Sequence, residues 1–172
     1  RVRRQSESAM WIAHEFQSYL DHEVPGAAIV LYPGLQTDTT KDWSAKYEIA
    51  NRMCPHGAYG GMLSIVFFNG VLSMQNIRHE CGGSGDLSLL VKLCKTMAVS
   101  CHHWTCATSL GGFESLIEHR YSVECVEGET NPHVPAGLLR LSVGLETKED
   151  LLSGLKHGFK QAVAVCSNMR ND

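Results

Sequence analysis

Leu138 to Val143 reads Leu-Leu-Arg-Leu-Ser-Val, an apolar run with a guanidinium in its middle. Side chains alternate along a strand, so Leu139, Leu141 and Val143 share one face while Arg140 points from the other. Such a segment needs a core on one side and an anion within reach on the other, because desolvating an unpaired Arg is too costly. The planar fork fits a carboxylate through two parallel hydrogen bonds. Two partners meet that need, an Asp or Glu of the same chain or a bound carboxylate, and spacing alone leaves both open.

The rest of the chain supplies helices to cover such a strand. Arg3 to Glu23 carries Ala9, Met10, Ile12, Ala13, Phe16 and Leu20 at helical spacing, with Pro25-Gly26 to end the helix. Ala27 to Tyr32 predicts a short strand, and Thr39 to Met53 a second helix stopped near Cys54-Pro55. Met62 to Phe68 predicts a strand, and Asn69-Gly70 is a hairpin signal that should return Val71 to Ile77 antiparallel. Asp86 begins a third helix with Leu87, Leu90, Val91, Cys94 and Met97 on one side. A strand is expected from Ser100 to Thr105, followed by a loop through Ser109 and two glycines and a less regular stretch from Arg120 to Pro135. Thr147 with Asp150 resembles a capping box, and Leu151, Leu152, Leu155, Phe159, Ala162, Val163 and Cys166 mark the inner face of the last helix. Hairpins and helices without regular β-α alternation predict an α+β fold, with helices packed against a mostly antiparallel sheet.

A chain of 172 residues suits one domain, and 44% apolar with 19% charged residues is ordinary for a globular core. A net charge of −3 without a basic run gives no electrostatic footprint for nucleic acid. No apolar stretch is long enough to cross a membrane and no signal peptide is visible, so a cytoplasmic protein is expected. The chain opens on Arg1, which fits a fragment or a processed form. Its seven scattered cysteines read as free thiols in a reducing compartment. Cys101-His102-His103-Trp104-Thr105-Cys106 lacks a second ligand pair at zinc spacing, so no metal is expected.

Four motifs then point to a family. Tyr32-Pro33-Gly34-Leu35, Gly60-Gly61-Met62-Leu63-Ser64, Ser109 to Glu118 and Leu138 to Glu146 occur in the order seen in the Cys/Met-metabolism (transsulfuration) family of pyridoxal-phosphate enzymes, whose members include cystathionine synthases and lyases and methionine γ-lyase. The resemblance covers nearly the whole chain but only that family's small C-terminal domain, of the fold-type I transferases. It implies that residues 1–172 form one substrate-carboxylate-binding domain. It also implies that pyridoxal 5′-phosphate is bound by a large domain absent from this chain, in a cytoplasmic enzyme that assembles as a homotetramer, a dimer of dimers.

By the same resemblance Arg140 grips the substrate α-carboxylate, and Ser109, opening Ser-Leu-Gly-Gly, helps to hold it. Gly111 and Gly112 let the backbone come close to a ligand. Thr108 occupies a position that varies with substrate preference, where similar γ-lyases usually carry Glu. The cofactor is an electron sink once joined as an imine from an enzyme lysine. In the family that lysine lies in a Ser-Xaa-Thr-Lys run of the large domain. Thr39-Thr40-Lys41 and Ser44-Ala45-Lys46-Tyr47 are read instead as helix segments with solvent-facing lysines, so no catalytic residue is assigned in this chain and the isolated chain is expected to be inactive. Two departures stand out: Gln36-Thr37-Asp38-Thr39 replaces a His-Pro-containing segment, and Asn69 to Gly85 is long for the connection.

The expected function is therefore that of a carbon–sulfur lyase or transsulfuration enzyme acting on cystathionine or a related sulfur amino acid. The alternatives are a truncated, non-catalytic relative serving assembly, and an unrelated α+β domain using Arg140 for another carboxylate.

Overall fold

The computed structural model describes residues 1–35, 41–54, 56–68, 85–108, 112–125 and 133–168, with the side chains of 41–44 and of 85 and 86 left aside. Helix α1 spans Val2–Glu23 and buries Ala9, Ile12, Ala13, Phe16 and Leu20 on one stripe, as the 3.6-residue period requires. It ends where the Val24 N–H bonds to the Leu20 carbonyl and Gly26 takes a φ of +72°, which a side chain would resist. Strand β1 (Ala28–Leu31) leads to helix α2 (Lys41–Met53) and strand β2 (Met62–Phe67). Helix α3 (Gly85–Ser100) precedes two short strands, β3 (Thr105–Cys106) and β4 (Leu116–His119). Helix α4 (Arg120–Glu124), strand β5 (Leu138–Ser142) and helix α5 (Lys148–Asn168) complete the order. At the start of α5 the Thr147 hydroxyl donates to the Asp150 carboxylate, so the two residues of the expected capping box meet side chain to side chain.

The strands form one sheet in the order β1-β2-β5-β4-β3. The fold is α+β, but the sheet is mixed rather than mostly antiparallel: β1, β2, β5 and β4 pair antiparallel in turn, whereas β3 runs parallel to β4. Strand β4 runs in the same direction as β3 beside it, Thr105 opposite Leu116 and Cys106 opposite Ile117. Leu63, Ile65, Ile117, Leu139 and Leu141 point into a core closed by α1, α3 and α5. The opposite face carries Ile29, Leu31, Ser64, Leu138 and Arg140, all half-buried.

Two expectations change. The strand expected over Ser100 to Thr105 is the last residue of α3 and a turn, and only Thr105 enters β3. Cys101 and Trp104 are the buried residues of that turn, three apart rather than two, and the Trp104 indole donates to the Leu151 carbonyl at 3.0 Å. Leu116–His119, not expected as a strand, is β4. Its four residues are all buried, so they carry no alternation of polar and apolar positions. The Asn69-Gly70 hairpin, the return strand to Ile77 and Gln36 to Thr39 lie outside the described residues.

Gly154 and Gly158 let α5 lie against the turn after α3. A Cβ on Gly154 would collide with the His102 carbonyl, and one on Gly158 with the Cys101 thiol. Six cysteines are free thiols, and burial pushes the Cys101 thiol up to about 12. Cys81 is outside the described residues.

His119 ends β4 and is buried. Its Nε2 lies 2.7 Å from the Ala136 carbonyl, which only accepts, so Nε2 carries the proton and Nδ1 accepts from Ser122 Oγ at 2.7 Å. Burial, helped by the nearby charge of Lys95, lowers its pKa below the ordinary 6.5 against the opposing pull of the Ala136 bond. The unfolded chain therefore binds the extra proton first, and the stability this residue contributes is complete above about pH 6.5 and is lost as pH falls towards the folded-state value. Urea midpoints at pH 7.5 and pH 5.5 should fall further for the wild type than for His119→Gln. Equal falls would mean that the imidazole is not held neutral.

Candidate functional site

Arg140 lies in β5 with Ser64 of β2 opposite it on one side and Glu118 of β4 on the other. Leu31 continues the row across β1. Because these residues share one register row, their side chains emerge from the same face, away from the helical core. The Arg140 side chain is 30% exposed and that of Glu118 is 4% exposed, and Nε stands 2.6 Å from the carboxylate Oε1. The Nε–H does not point along that contact, so the pair is held by charge rather than by an aligned hydrogen bond. Arg120 Nη1 lies 3.4 Å from the same Oε1 and pairs with Glu124 one turn along α4.

One of the two partners open to Arg140 is therefore present in the chain. Glu118 follows Leu116-Ile117 but is itself followed by His119 and Arg120, so its charge does not stand out in the sequence as that of Arg140 does in Leu-Leu-Arg-Leu, and nothing local marks the two as partners. Glu118 sits beside Nε, and Nη1 and Nη2 make no hydrogen bond among the described residues. The fork's outer edge is the part suited to a second carboxylate.

Arg140 lines a cleft of about 390 Å³ between the β1–β2 edge and α2. Tyr32, Pro33 and Leu35 form one wall, Tyr47 and Ala50 of α2 another, and Met62 and Ser64 lie beside the guanidinium. Tyr32 is buried and its ring meets Tyr59 edge-on at 6.1 Å. Lys46 reaches the lining from α2 while remaining exposed, as a solvent-facing helix residue should. The cleft is thus an apolar, aromatic recess with a cation in its wall, a lining that can take a small organic anion.

Thr108 is exposed and lines a different recess, of about 370 Å³, with Cys106, Glu118 and His119. Glu118 therefore stands at Arg140 on one side and borders the Thr108 recess on the other. Ser109 and Gly111 lie outside the described residues, but Gly112 and the residues after it are fastened to the end of β5. Glu146 accepts the Ser115 N–H at 2.8 Å and the Ser115 hydroxyl at 2.7 Å, and Ser115 Oγ accepts the Gly144 N–H at 2.8 Å. Among the described residues no three His, Cys, Asp or Glu side chains group as for a metal ion, and no helix is long and apolar enough to cross a membrane.

Comparisons with known proteins agree on one family. The model described as "Cys/Met metabolism PLP-dependent enzyme" matches residues 1–160. Cystathionine gamma-synthase of Mycobacterium tuberculosis is 34% identical over 160 residues, covering 92% of this chain and 33% of the relative. Cystathionine gamma-lyase of Macaca fascicularis is 30% identical over 166 residues, covering 94% of this chain and 33% of the relative. The crystal structure of cystathionine gamma-lyase from yeast has a TM-score of 0.59 at 30% identity, covering 94% of this chain and 35% of that one. The chain thus spans about a third of the length of the curated relatives it matches.

Proposed function

Because the chain belongs to the Cys/Met-metabolism family of PLP-dependent enzymes, we propose that it is the C-terminal domain of a carbon–sulfur lyase or transsulfuration enzyme. Its task is to hold the α-carboxylate of cystathionine or a related sulfur amino acid. Arg140 binds that carboxylate through its Nη edge, Ser109 adds donors from the glycine loop, and Thr108, in the neighbouring recess beyond Glu118, is left to meet the far end of a substrate that extends past the cleft. The observation that carries this reading is the half-buried guanidinium, which lines an apolar cleft while its Nη groups make no hydrogen bond among the described residues. Gripping one end of the amino acid fixes the orientation of the bond to be broken, which is worth far more than the binding energy of a single contact.

The described residues do not by themselves make a pyridoxal phosphate site. Among the described residues the cleft lining contains no Asp or Glu to pair with a ring nitrogen, and the lysine in it, Lys46, is exposed on α2. We therefore place the cofactor and its lysine in a larger domain of the same protein, which also brings the subunits together as a dimer of dimers. On this reading the 172-residue chain alone does not turn over substrate. One observation favours a second reading, an assembly domain without a ligand: Glu118 already gives Arg140 a carboxylate.

Borohydride reduction of the full-length natural protein, followed by intact mass and absorbance, tests the first level. A trapped cofactor–lysine adduct with Arg140→Ala weakening amino-acid binding supports the enzyme. A protein that traps no cofactor and binds no amino acid leaves the assembly domain.

A further inference from the structure

We infer that Gln5 and Ser6, at the start of α1, are positioning residues that hold Gly112 and the Arg140 strand in register; the inference rests on Arg140 being the carboxylate clamp proposed above. Both residues are polar yet buried, 7% and 1% exposed. They extend the inward stripe of α1 upstream from Ala9 and Ile12, where a helix built only to pack would carry apolar side chains. A buried amide or hydroxyl is costly unless bonded, so what each one bonds to shows what it is for.

Gln5 spends both N–H groups of one amide on two carbonyls far apart in sequence. Nε2 donates to Gly112 at 2.9 Å and to Val143 at 3.0 Å. Gly112 is the last residue of the Ser-Leu-Gly-Gly motif, and Val143 follows Arg140 by three residues. A primary amide does this and a carboxylate cannot, since both partners only accept. Ser6 joins the remaining two motifs. Its Oγ accepts the Gly60 N–H at 3.2 Å and lies 3.2 Å from the Tyr32 hydroxyl, which donates to the Gly60 carbonyl at 2.7 Å.

Four segments separated in the chain thus converge on two neighbouring side chains. The convergence is tight: a Cβ on Gly61 would meet the Val143 carbonyl at 2.9 Å and Gln5 Cβ at 3.4 Å, and the Val143 N–H bonds to the Gly61 carbonyl at 2.8 Å. Glu146 makes an independent fastening farther along, at Ser115, so losing Gln5 should shift Gly112 without releasing the segment from the end of β5. The expected consequence is a displaced carboxylate donor set in a protein that still folds, because sub-ångström placement governs how well such a clamp grips.

The test is calorimetric binding of L-methionine and its α-amide to the full-length protein as wild type, Gln5→Met and Arg140→Ala. Met keeps the volume and removes both donors. Gln5→Met should weaken L-methionine binding by about tenfold while leaving the amide nearly unchanged, so that the acid-over-amide preference falls. A residue that only supports the fold would lower Tm and leave that preference intact, which overturns the inference while Arg140→Ala still abolishes it. If Arg140→Ala also leaves the preference unchanged, the clamp reading and the inference fall together. Should Gln5→Met not fold, Gln5→Asn retains the amide but is one methylene too short to span both carbonyls, and the same loss of preference is expected.

Discussion

Replacing Arg140 with Met in the full-length protein should weaken sulfur amino-acid binding by about 10²- to 10⁴-fold, the loss of two charge-assisted hydrogen bonds at roughly 1.5–3 kcal/mol each. The single variant has a second effect. Glu118, 4% exposed, loses the guanidinium 2.6 Å away, and among the described residues only Arg120 at 3.4 Å remains to offset its charge. Breaking a buried pair from one side costs about 3–5 kcal/mol, enough to lower affinity through the fold alone. Arg140→Met combined with Glu118→Gln removes that ambiguity, since the amide needs no counter-ion. If Arg140 clamps substrate, the double variant regains stability in urea titration and still fails to bind. If Arg140 serves only to neutralise Glu118, the double variant binds as the wild type does, and the carboxylate clamp is refuted.

The second large effect belongs to the core. Phe159 is 1% exposed and stacks on Phe67 of β2 with centroids 5.8 Å apart, while Tyr19 of α1 meets it edge-on at 6.0 Å. One ring therefore joins α5, the sheet and α1. Phe159→Ala should cost about 3–5 kcal/mol through lost transfer energy and the cavity left behind. That is a large part of a typical domain stability of about 5–15 kcal/mol, so guanidinium titration should show a sharply lowered midpoint or no cooperative transition. Phe113 is a control of identical chemistry. It is 70% exposed, and Phe113→Ala should shift stability by less than about 0.5 kcal/mol. Equal losses at the two sites would mean that α5 does not pack on the sheet through Phe159.

Both variants show what composition hides. Phe113 and Phe159 are the same residue, and only the helical period of Leu151, Leu155 and Phe159 marks the second as inward. The long helices were legible for that reason. Apolar residues three and four apart define one face wherever the helix docks, so α1 and α5 follow from spacing within about a turn. The resemblance to the Cys/Met-metabolism family was equally legible, because Tyr32 to Leu35, Gly60 to Ser64, Ser109 to Glu118 and Leu138 to Glu146 are local runs. The match over residues 1–160 shows that family. Leu116–His119 escaped because a strand buried on both faces has no alternation to read, and its parallel neighbour escaped because two residues of β3 carry no pattern.

The sequence by itself determined that Arg140 stands in a strand, faces away from the core and needs an anion, since alternation and the cost of an unpaired guanidinium are local physics. Only the tertiary structure decided which groups meet there. Glu118 comes opposite Arg140 through the antiparallel register of β4 on β5, and Thr108 falls in a neighbouring recess rather than in the cleft that Arg140 lines. Gln5 reaches Gly112 and Val143, 107 and 138 residues away. Local periodicity states which side of an element is buried, but strand register and helix docking choose its partner, and these are set by the packing of the whole core.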